Sequence, residues 1–221
     1  MADESATLIS PQELRGRSRA EFVYGHLLEA ISEGRLRGTR IREEDIAKSL
    51  GVSRTPVREA LQRLQERGLL TVGAGRSLMV VELGERQVME LYAMREILEG
   101  SAARFAAQHA GEEEIQRLYR LHETYIGAFD EPERLVPLNR RFHHAIHEAA
   151  HNRYLAQALN AVHDSIALLH STTFRVPVRP ERSDLEHRRI IEAIERHDPD
   201  AAEEAARAHI REARRTRFDM L

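Results

Sequence analysis

The sequence predicts a mainly α-helical protein in which a winged helix-turn-helix is followed by an all-α bundle of about six helices. Two short amphipathic patterns flank Gly51, two short strand patterns follow them, and beyond Gly84 only helical periodicity is found. A chain of 221 residues with 42% hydrophobic residues is long enough to build two separate cores. We therefore predict a flexible arm over residues 1–17, a small domain over 18–83 and an all-helical domain over 84–221.

The segment from Glu44 to Leu70 has the layout of a helix-turn-helix. The apolar face of its first helix consists of Ile46, Ala47 and Leu50. Gly51 can adopt the positive φ that a tight turn needs, and Ser53 is placed to cap the next helix. Pro56 falls in the first turn of that helix, where its missing N–H group is harmless.

The second helix is apolar on one side and polar and basic on the other. Its apolar side consists of Val57, Ala60, Leu61 and Leu64. The residues predicted to contact DNA from this helix and its start are Ser53, Arg54, Thr55, Pro56, Arg58 and Gln62. Arg58 can bind a guanine edge or a phosphate, and the backbone donors at the helix start favour an anion. The alternative is a surface helix whose charged face is simply solvated.

A hairpin is predicted directly after this helix. Residues 69–72 and 78–81 have strand character, and the intervening turn contains two glycines. Gly75 and Arg76 at the predicted tip could bring a cation to the DNA backbone or minor groove. This pattern predicts a wing beside the recognition helix.

Composition excludes some functional classes without choosing among the others. The chain has no cysteine, which excludes thiolate sites and fits a reducing cytoplasm. No apolar run reaches the roughly 20 residues that cross a bilayer, so we expect a cytoplasmic protein with no membrane partner. Residues 1–83 carry 13 Lys and Arg against 12 Asp and Glu, so DNA affinity would have to come from the local placement of arginines.

Six helices are predicted in the second domain, over residues 85–110, 112–129, 132–150, 153–174, 184–197 and 199–218. Ser183 with Glu186 has the capping-box pattern, and Asp198 before Pro199 is typical of a helix start. Residues 175–182, with two prolines, are predicted to form an internal loop.

Three histidines of this domain lie on apolar stripes of three different helices. They are His143, His187 and His209, and Asn139 lies one helical turn before the first of them. Imidazoles that face the core of a bundle must be hydrogen-bonded or bound to a metal. Spacing alone leaves both possibilities open, and a satisfied core histidine is the commoner of the two.

The run SLGVSRTPVREALQRLQERGLL resembles the winged helix-turn-helix of the GntR family of bacterial transcription regulators, and the match covers roughly residues 18–81. The resemblance implies that Arg54, Thr55, Arg58 and the wing glycines contact double-stranded operator DNA, and that a homodimer reads a two-fold related site. Some relatives have a DNA-contacting arginine in the helix before the turn, where this chain has Glu44. That position therefore departs from the pattern.

The segments NRRFHHAI, EHRRIIEAI and AARAHI resemble the ligand segments of the FCD effector domain, which is found in the FadR-type branch of the same family. Many FCD domains bind a metal through an aspartate, a histidine four residues later and two further histidines. The resemblance assigns these roles to Asn139, His143, His187 and His209, with asparagine where aspartate is usual. A site dominated by imidazoles favours zinc or nickel over calcium, and the neutral amide predicts a weaker or more exchangeable metal.

A cation held by neutral ligands keeps most of its charge, so we expect a small organic acid to complete the site as the effector. Arg95, in the run LYAMREILEG that resembles the start of an FCD domain, is a second predicted anchor for this acid. A surface salt bridge from Arg95 to Glu99 is the alternative. We expect His144 and His147 to be solvated or to lie behind the ligands, and the tyrosines Tyr92, Tyr119 and Tyr125 to serve the core or an interface.

Three functional classes remain open at this point. The first is a DNA-binding transcription regulator, a repressor by analogy with relatives, whose operator binding responds to the effector through the short linker 80–84. The second is an architectural DNA-binding dimer without metal or effector. The third is a metal-dependent hydrolase, which is disfavoured because the chain lacks an HExxH motif. We accordingly predict that the protein is not an enzyme.

Overall fold

The computed structural model describes residues 18–73, 75, 77–169 and 172–220. Within them the chain forms nine α-helices and one two-stranded sheet. The elements are α1 (Arg19–Ser32), α2 (Glu43–Leu50), α3 (Arg54–Glu66), β1 (Leu70–Val72), β2 (Leu78–Val80), α4 (Glu85–His109), α5 (Glu112–Ile126), α6 (Pro132–Ala149), α7 (Arg153–Ile166), α8 (Arg179–Glu195) and α9 (Pro199–Phe218). The predicted fold class, a winged helix-turn-helix followed by an all-helical domain, is confirmed.

The chain divides into two compact units, the first of which contains the described residues between 18 and 83 together with 163–169. In this unit α2 ends at Gly51, whose φ of 64° lets the chain turn sharply into α3. Helices α1 and α3 pack together, and β1 pairs with β2 in antiparallel register with Leu70 opposite Val80. The apolar stripe of α3 is buried in the core of this unit, as predicted, and the opposite face of the helix is left in solvent.

The second unit consists of residues 84–162 with 172–221. Its helices surround a core in which α4 and α9 pack against each other through alanines, including Ala102, Ala106 and Ala206. Small side chains allow the two helices to approach closely, and a Cβ atom added at Gly100 would lie 2.8 Å from Cγ of Arg207. Helix α9 begins as predicted, because the side chain of Asp198 accepts a hydrogen bond from the backbone N–H of Ala201.

Two details of the predicted second unit are wrong. The predicted loop over 175–182 is shorter than expected, because α8 already begins at Arg179 and accommodates Pro180 in its first turn. Ser183, predicted as an N-cap, therefore lies inside the helix, where its buried hydroxyl donates to the carbonyl oxygen of Pro180 at 2.8 Å. The predicted helix over 153–174 also ends early, at Ile166, and is followed by two short 3-10 turns.

Two predicted features fall outside the described residues, namely the flexible arm over 1–17 and the wing-tip residue Arg76. In the part of the chain that is described, no helix combines the length and apolarity needed to cross a membrane.

Candidate functional site

The face of α3 opposite its buried stripe carries most of the residues predicted to contact DNA. Exposed side chains on it and at its start are Ser53, Arg54, Thr55, Arg58 and Gln62. Pro56 was included in the predicted set, but it is buried and belongs to the interior of the first unit. Gln62 donates to Glu66 one turn further along the same helix. The exposed set forms one polar strip, the surface that a recognition helix presents to the major groove.

The hairpin after α3 has the dimensions of a small wing. Its strands are three residues each, and Gly75 in the connection has a φ of 74°, a conformation that favours glycine. Gly73 is constrained differently, because an added Cβ atom would lie 2.6 Å from Sδ of Met79. Both glycines therefore have a structural reason to be there.

The two arginines on the exposed strip form ion pairs with acidic residues at the start of α2. Nε and Nη2 of Arg58 donate to the carboxylate of Glu43, the latter at 2.9 Å. The second pair joins Nη2 of Arg54 to Oε1 of Glu44 at 2.7 Å. Hydrogen bonding from Arg58 lowers the pKa of Glu43, so that carboxylate is ionised at neutral pH.

The three predicted histidines converge inside the second unit. We call His143 on α6, His187 on α8 and His209 on α9 the imidazole cluster, and all three are at least 97% buried. Their ring centroids are 4.8–5.6 Å apart. One nitrogen from each ring lies within 4.8 Å of the others, so the cluster can offer three nitrogen ligands to a common point.

His187 lies at the centre of this cluster in an apolar environment. Its side chain is fully buried and its ring lies 4.3 Å, centroid to centroid, from that of Phe142. Among the described residues, neither of its ring nitrogens has a hydrogen-bond partner. Burial, with repulsion from neighbouring charges, lowers the pKa of His187 well below its ordinary value. The ring is therefore neutral, which is the form that binds metals.

Two carboxylates, one buried and one half-buried, orient the other two imidazoles. Nδ1 of His143 lies 3.0 Å from Oε2 of Glu99, and Nδ1 of His209 lies 2.7 Å from Oε2 of Glu186. An ionised carboxylate can only accept a hydrogen bond, so each Nδ1 carries the proton and each Nε2 is the nitrogen that can offer a lone pair. Glu186 is itself fixed by two hydrogen bonds from the buried guanidinium of Arg179.

Burial keeps two of the three imidazoles, those of His187 and His209, in the neutral form that binds metals. Burial opposes ionisation of Glu99, but attraction and hydrogen bonds from His143 and His147 outweigh it and leave the pKa of this carboxyl well below its usual value. Burial also lowers the pKa of His209 to about 4. At neutral pH this part of the unit therefore combines ionised carboxylates with neutral imidazoles of His187 and His209.

These residues fit a divalent metal ion. Asn139, one turn before His143 on α6, has a buried Oδ1 atom with no hydrogen-bond partner among the described residues. A carbonyl oxygen and three imidazole nitrogens are suitable ligands for zinc or nickel. The unpartnered atoms of Asn139 and His187 are costly in a metal-free core, and a bound cation would satisfy Oδ1 of Asn139 and one of the two nitrogens of His187.

Arg95 on α4 lies behind this site and does not lie on the surface. It is 7% exposed, and its Nη2 is 3.7 Å from Oε1 of Glu99. The alternative of a salt bridge to Glu99 is thus present, but in a buried form. The Nε atom of Arg95 has no hydrogen-bond partner among the described residues, which leaves a donor for an anion.

The remaining predicted residues divide between surface and interior. His144 is exposed, whereas His147 is buried and its Nε2 lies 3.0 Å from Oε2 of Glu99. Tyr92 and Tyr125 are buried in the core, and Tyr119 is half-buried with its hydroxyl donating to Glu195.

Sequence reasoning missed the orienting residues Glu99, Arg179 and Glu186. Glu186 directly precedes His187, so helical spacing directs it away from that histidine, and its actual partner His209 is 23 positions away. The acidic partners of Arg54 and Arg58 were missed for the same reason, because these contacts join different helices. A local pattern carries no signal for them.

A winged helix-turn-helix followed by a helical domain with a buried histidine cluster is the architecture of a DNA-binding transcription regulator. Comparison with known proteins agrees: residues 19–80 match the model of bacterial regulatory proteins of the gntR family, and residues 90–212 match that of the FCD domain. The chain belongs to the GntR family and carries the FCD domain of its FadR-like regulators. It is a transcription regulator and not an enzyme.

Individual relatives support this assignment over most of the chain. An uncharacterized HTH-type transcriptional regulator of Bacillus subtilis (strain 168), YdhC, is 34% identical over 190 residues, which are 84% of this chain and 85% of that protein. A probable D-xylose utilization operon transcriptional repressor of Paenarthrobacter nicotinovorans is 32% identical and covers 86% of this chain and 85% of its own length. The solved structure of McbR/YncC from E. coli has the same fold, with a TM-score of 0.83 at 23% identity over 92% of this chain and 99% of that one.

Proposed function

We propose that the protein is a repressor that binds operator DNA as a homodimer, and that a small organic acid held at a divalent metal ion controls this binding. The observation that carries the proposal is the imidazole cluster with Asn139, a set of buried nitrogen and oxygen atoms in a domain whose hydrophobic core is mostly alanine and aliphatic. The similarity to the Paenarthrobacter nicotinovorans protein, a probable transcriptional repressor, supports the direction of regulation. The expected compartment is the cytoplasm.

His143, His187, His209 and Asn139 would hold the metal, with zinc or nickel the best match to this donor set. The bound ion would supply a positive charge that attracts a carboxylate. Glu99 and Glu186 fix the orientation and tautomer of two of the ligands, and Arg95 offers a buried cation as a second anchor for the acid. Burial keeps most of these side chains away from water, so their charges act strongly on one another.

On the DNA side, Arg58 and Arg54 are the proposed readers of base edges or phosphates. Their polar neighbours on the same strip are Ser53, Thr55 and Gln62. Gly75 would allow the wing to approach the DNA backbone. A homodimer doubles these contacts and matches a two-fold related operator. Helix α4 carries exposed apolar side chains at Met89, Met94 and Ile97, a surface suited to a second copy of the chain.

The test uses operator duplexes selected in vitro from genomic fragments by the wild-type protein. Fluorescence anisotropy then measures DNA affinity with a panel of small carboxylates, with and without a chelator, while elemental analysis measures bound metal. We expect at least one acid to weaken DNA binding, and the chelator to abolish that effect. His187→Ala should lose metal and acid response but keep DNA affinity, whereas the matched surface variant His144→Ala should behave like wild type.

Two results would contradict the proposal. Unaltered metal content in His187→Ala would remove the ligand assignment. DNA binding that no carboxylate changes, in a protein that purifies without metal and takes none up, would favour the architectural alternative, in which the histidines only fill the core.

A further inference from the structure

The two arginines of the proposed DNA-reading face form ion pairs with glutamates of the same domain. Arg58 is paired with Glu43 and Arg54 with Glu44, and we call these two carboxylates the acidic pair. Both arginine side chains remain more than 60% exposed, so the pairs lie on the surface that DNA would approach. Consecutive residues at the start of α2 thus neutralise both cations at the start of the recognition helix.

The contact between Glu43 and Arg58 uses a specific edge of the guanidinium group. Nε and Nη2 both donate to the carboxylate. A guanidinium binds a guanine or a phosphate through such a pair of parallel donors, so Glu43 competes with DNA for the same edge. DNA must therefore displace Glu43 before that edge can be used.

The acidic pair also acts on DNA directly. Its carboxylates lie within hydrogen-bonding distance of the arginines, so phosphates that approach Arg54 or Arg58 also approach two acidic side chains. Residues 1–83 are nearly neutral overall, with 13 basic against 12 acidic residues. No general excess of positive charge offsets this repulsion.

We propose that Glu43 and Glu44 are specificity-determining residues, which weaken binding to DNA of arbitrary sequence more than binding to the operator. This inference rests on the proposed DNA-binding role of α3. DNA of arbitrary sequence is bound through phosphate contacts alone, and the acidic pair opposes those contacts. The operator adds base contacts that compensate for displacing the carboxylates, so the ratio of the two affinities rises.

The test compares Glu43→Gln and Glu44→Gln with wild type on two fluorescent duplexes, one selected by the protein and one of scrambled sequence, over a series of salt concentrations. Asp45→Asn is the matched control, because it removes one negative charge from the same exposed turn of α2. We expect each glutamine variant to bind the scrambled duplex about three- to tenfold more tightly, with a salt slope steeper by up to about one per protomer. The operator affinity should change less, and Asp45→Asn should have a smaller effect on both.

Equal affinity of the glutamine variants and Asp45→Asn for the scrambled duplex would overturn this inference. So would weaker binding of Glu43→Gln, which would mean that Glu43 holds Arg58 in its DNA-binding position. Arg58→Ala separates these failures from a failure of the proposed function. If that variant binds both duplexes as wild type does, α3 is not the reader; if it loses affinity while the glutamine variants match Asp45→Asn, only the acidic pair was misassigned.

Discussion

Replacing His187 with leucine separates a metal ligand from a structural core residue. His187 is fully buried, and among the described residues neither of its ring nitrogens is hydrogen-bonded. A side chain kept for packing would be expected to have its polar atoms satisfied. We therefore expect His187→Leu to stabilise the metal-free protein and to destabilise it relative to wild type once metal is present.

The magnitude follows from the two unpartnered nitrogens. A neutral imidazole has one donor and one acceptor, and burying each without a partner costs about 1–3 kcal/mol. Leucine avoids this cost but fits the space beside Phe142 less well, a penalty of less than about 1.5 kcal/mol. Two such atoms cost about 2–6 kcal/mol, so the net gain is at least about 0.5 kcal/mol, which corresponds to a rise in Tm of about 1–2 °C or more.

Metal reverses the order of stability. At a free metal concentration about 100-fold above Kd, the wild type gains about 2.7 kcal/mol, and His187→Leu gains much less because it has lost a central ligand. Differential scanning calorimetry of both proteins, in chelator and in zinc or nickel, measures the crossing.

His147→Leu is the control for this experiment. His147 is also buried, but it hydrogen-bonds Glu99, so its replacement leaves a buried carboxylate with one donor fewer. That variant should be destabilised in chelator. If His187→Leu is also less stable than wild type without metal, His187 is a satisfied core residue and the reasoning fails.

Three further predictions concern the ligand set, pH and the turn. Asn139→Asp should tighten zinc binding by about tenfold or more, since it adds a negative charge to neutral ligands; competition with a fluorescent chelator measures this, and unchanged affinity would remove Asn139 from the site. The pKa of His209 is lowered from 6.5 to about 4 in the folded protein. Below about pH 6.5 this histidine is therefore protonated in the unfolded chain but not in the folded one. The free energy of unfolding of the metal-free protein should then fall by up to about 1.4 kcal/mol per pH unit as the pH falls from about 6.5. Urea unfolding at about pH 7 and about pH 5 tests this sign, and a loss as large in His209→Gln would assign it to other groups. Gly51→Ala should destabilise the first unit by about 1 kcal/mol, because Gly51 has a φ of 64°. Gly25 is exposed within α1 and has no atom near an added Cβ, so Gly25→Ala should stabilise the unit by about 0.5–1 kcal/mol. Thermal unfolding in which the Tm of both variants shifts in the same direction would contradict this.

Hydrophobic periodicity and capping residues were sufficient to predict most of the fold. The apolar stripe of α3, the turn at Gly51 and the start of α9 at Asp198 were all predicted, because each depends on residues close together in the chain. The start of α8 was predicted too late, because Pro180 was interpreted as part of a loop although proline is compatible with the first turn of a helix.

For the candidate site, the sequence predicted the three inward-facing histidines but not the carboxylates that hydrogen-bond to two of them. The stripes of α6, α8 and α9 direct His143, His187 and His209 inward, and convergence followed from packing these helices together. Glu99 and Glu186 reach histidines on other helices, so only the three-dimensional structure reveals them.

The position of a metal ion in crystals grown with zinc is the most direct test of the sensing role. Anomalous diffraction at the zinc absorption edge should give one strong peak per chain, within bonding distance of the three imidazole rings and Oδ1 of Asn139. An ordered site without a peak, with the nitrogens of His187 bound to protein or water, would contradict the proposed metal centre.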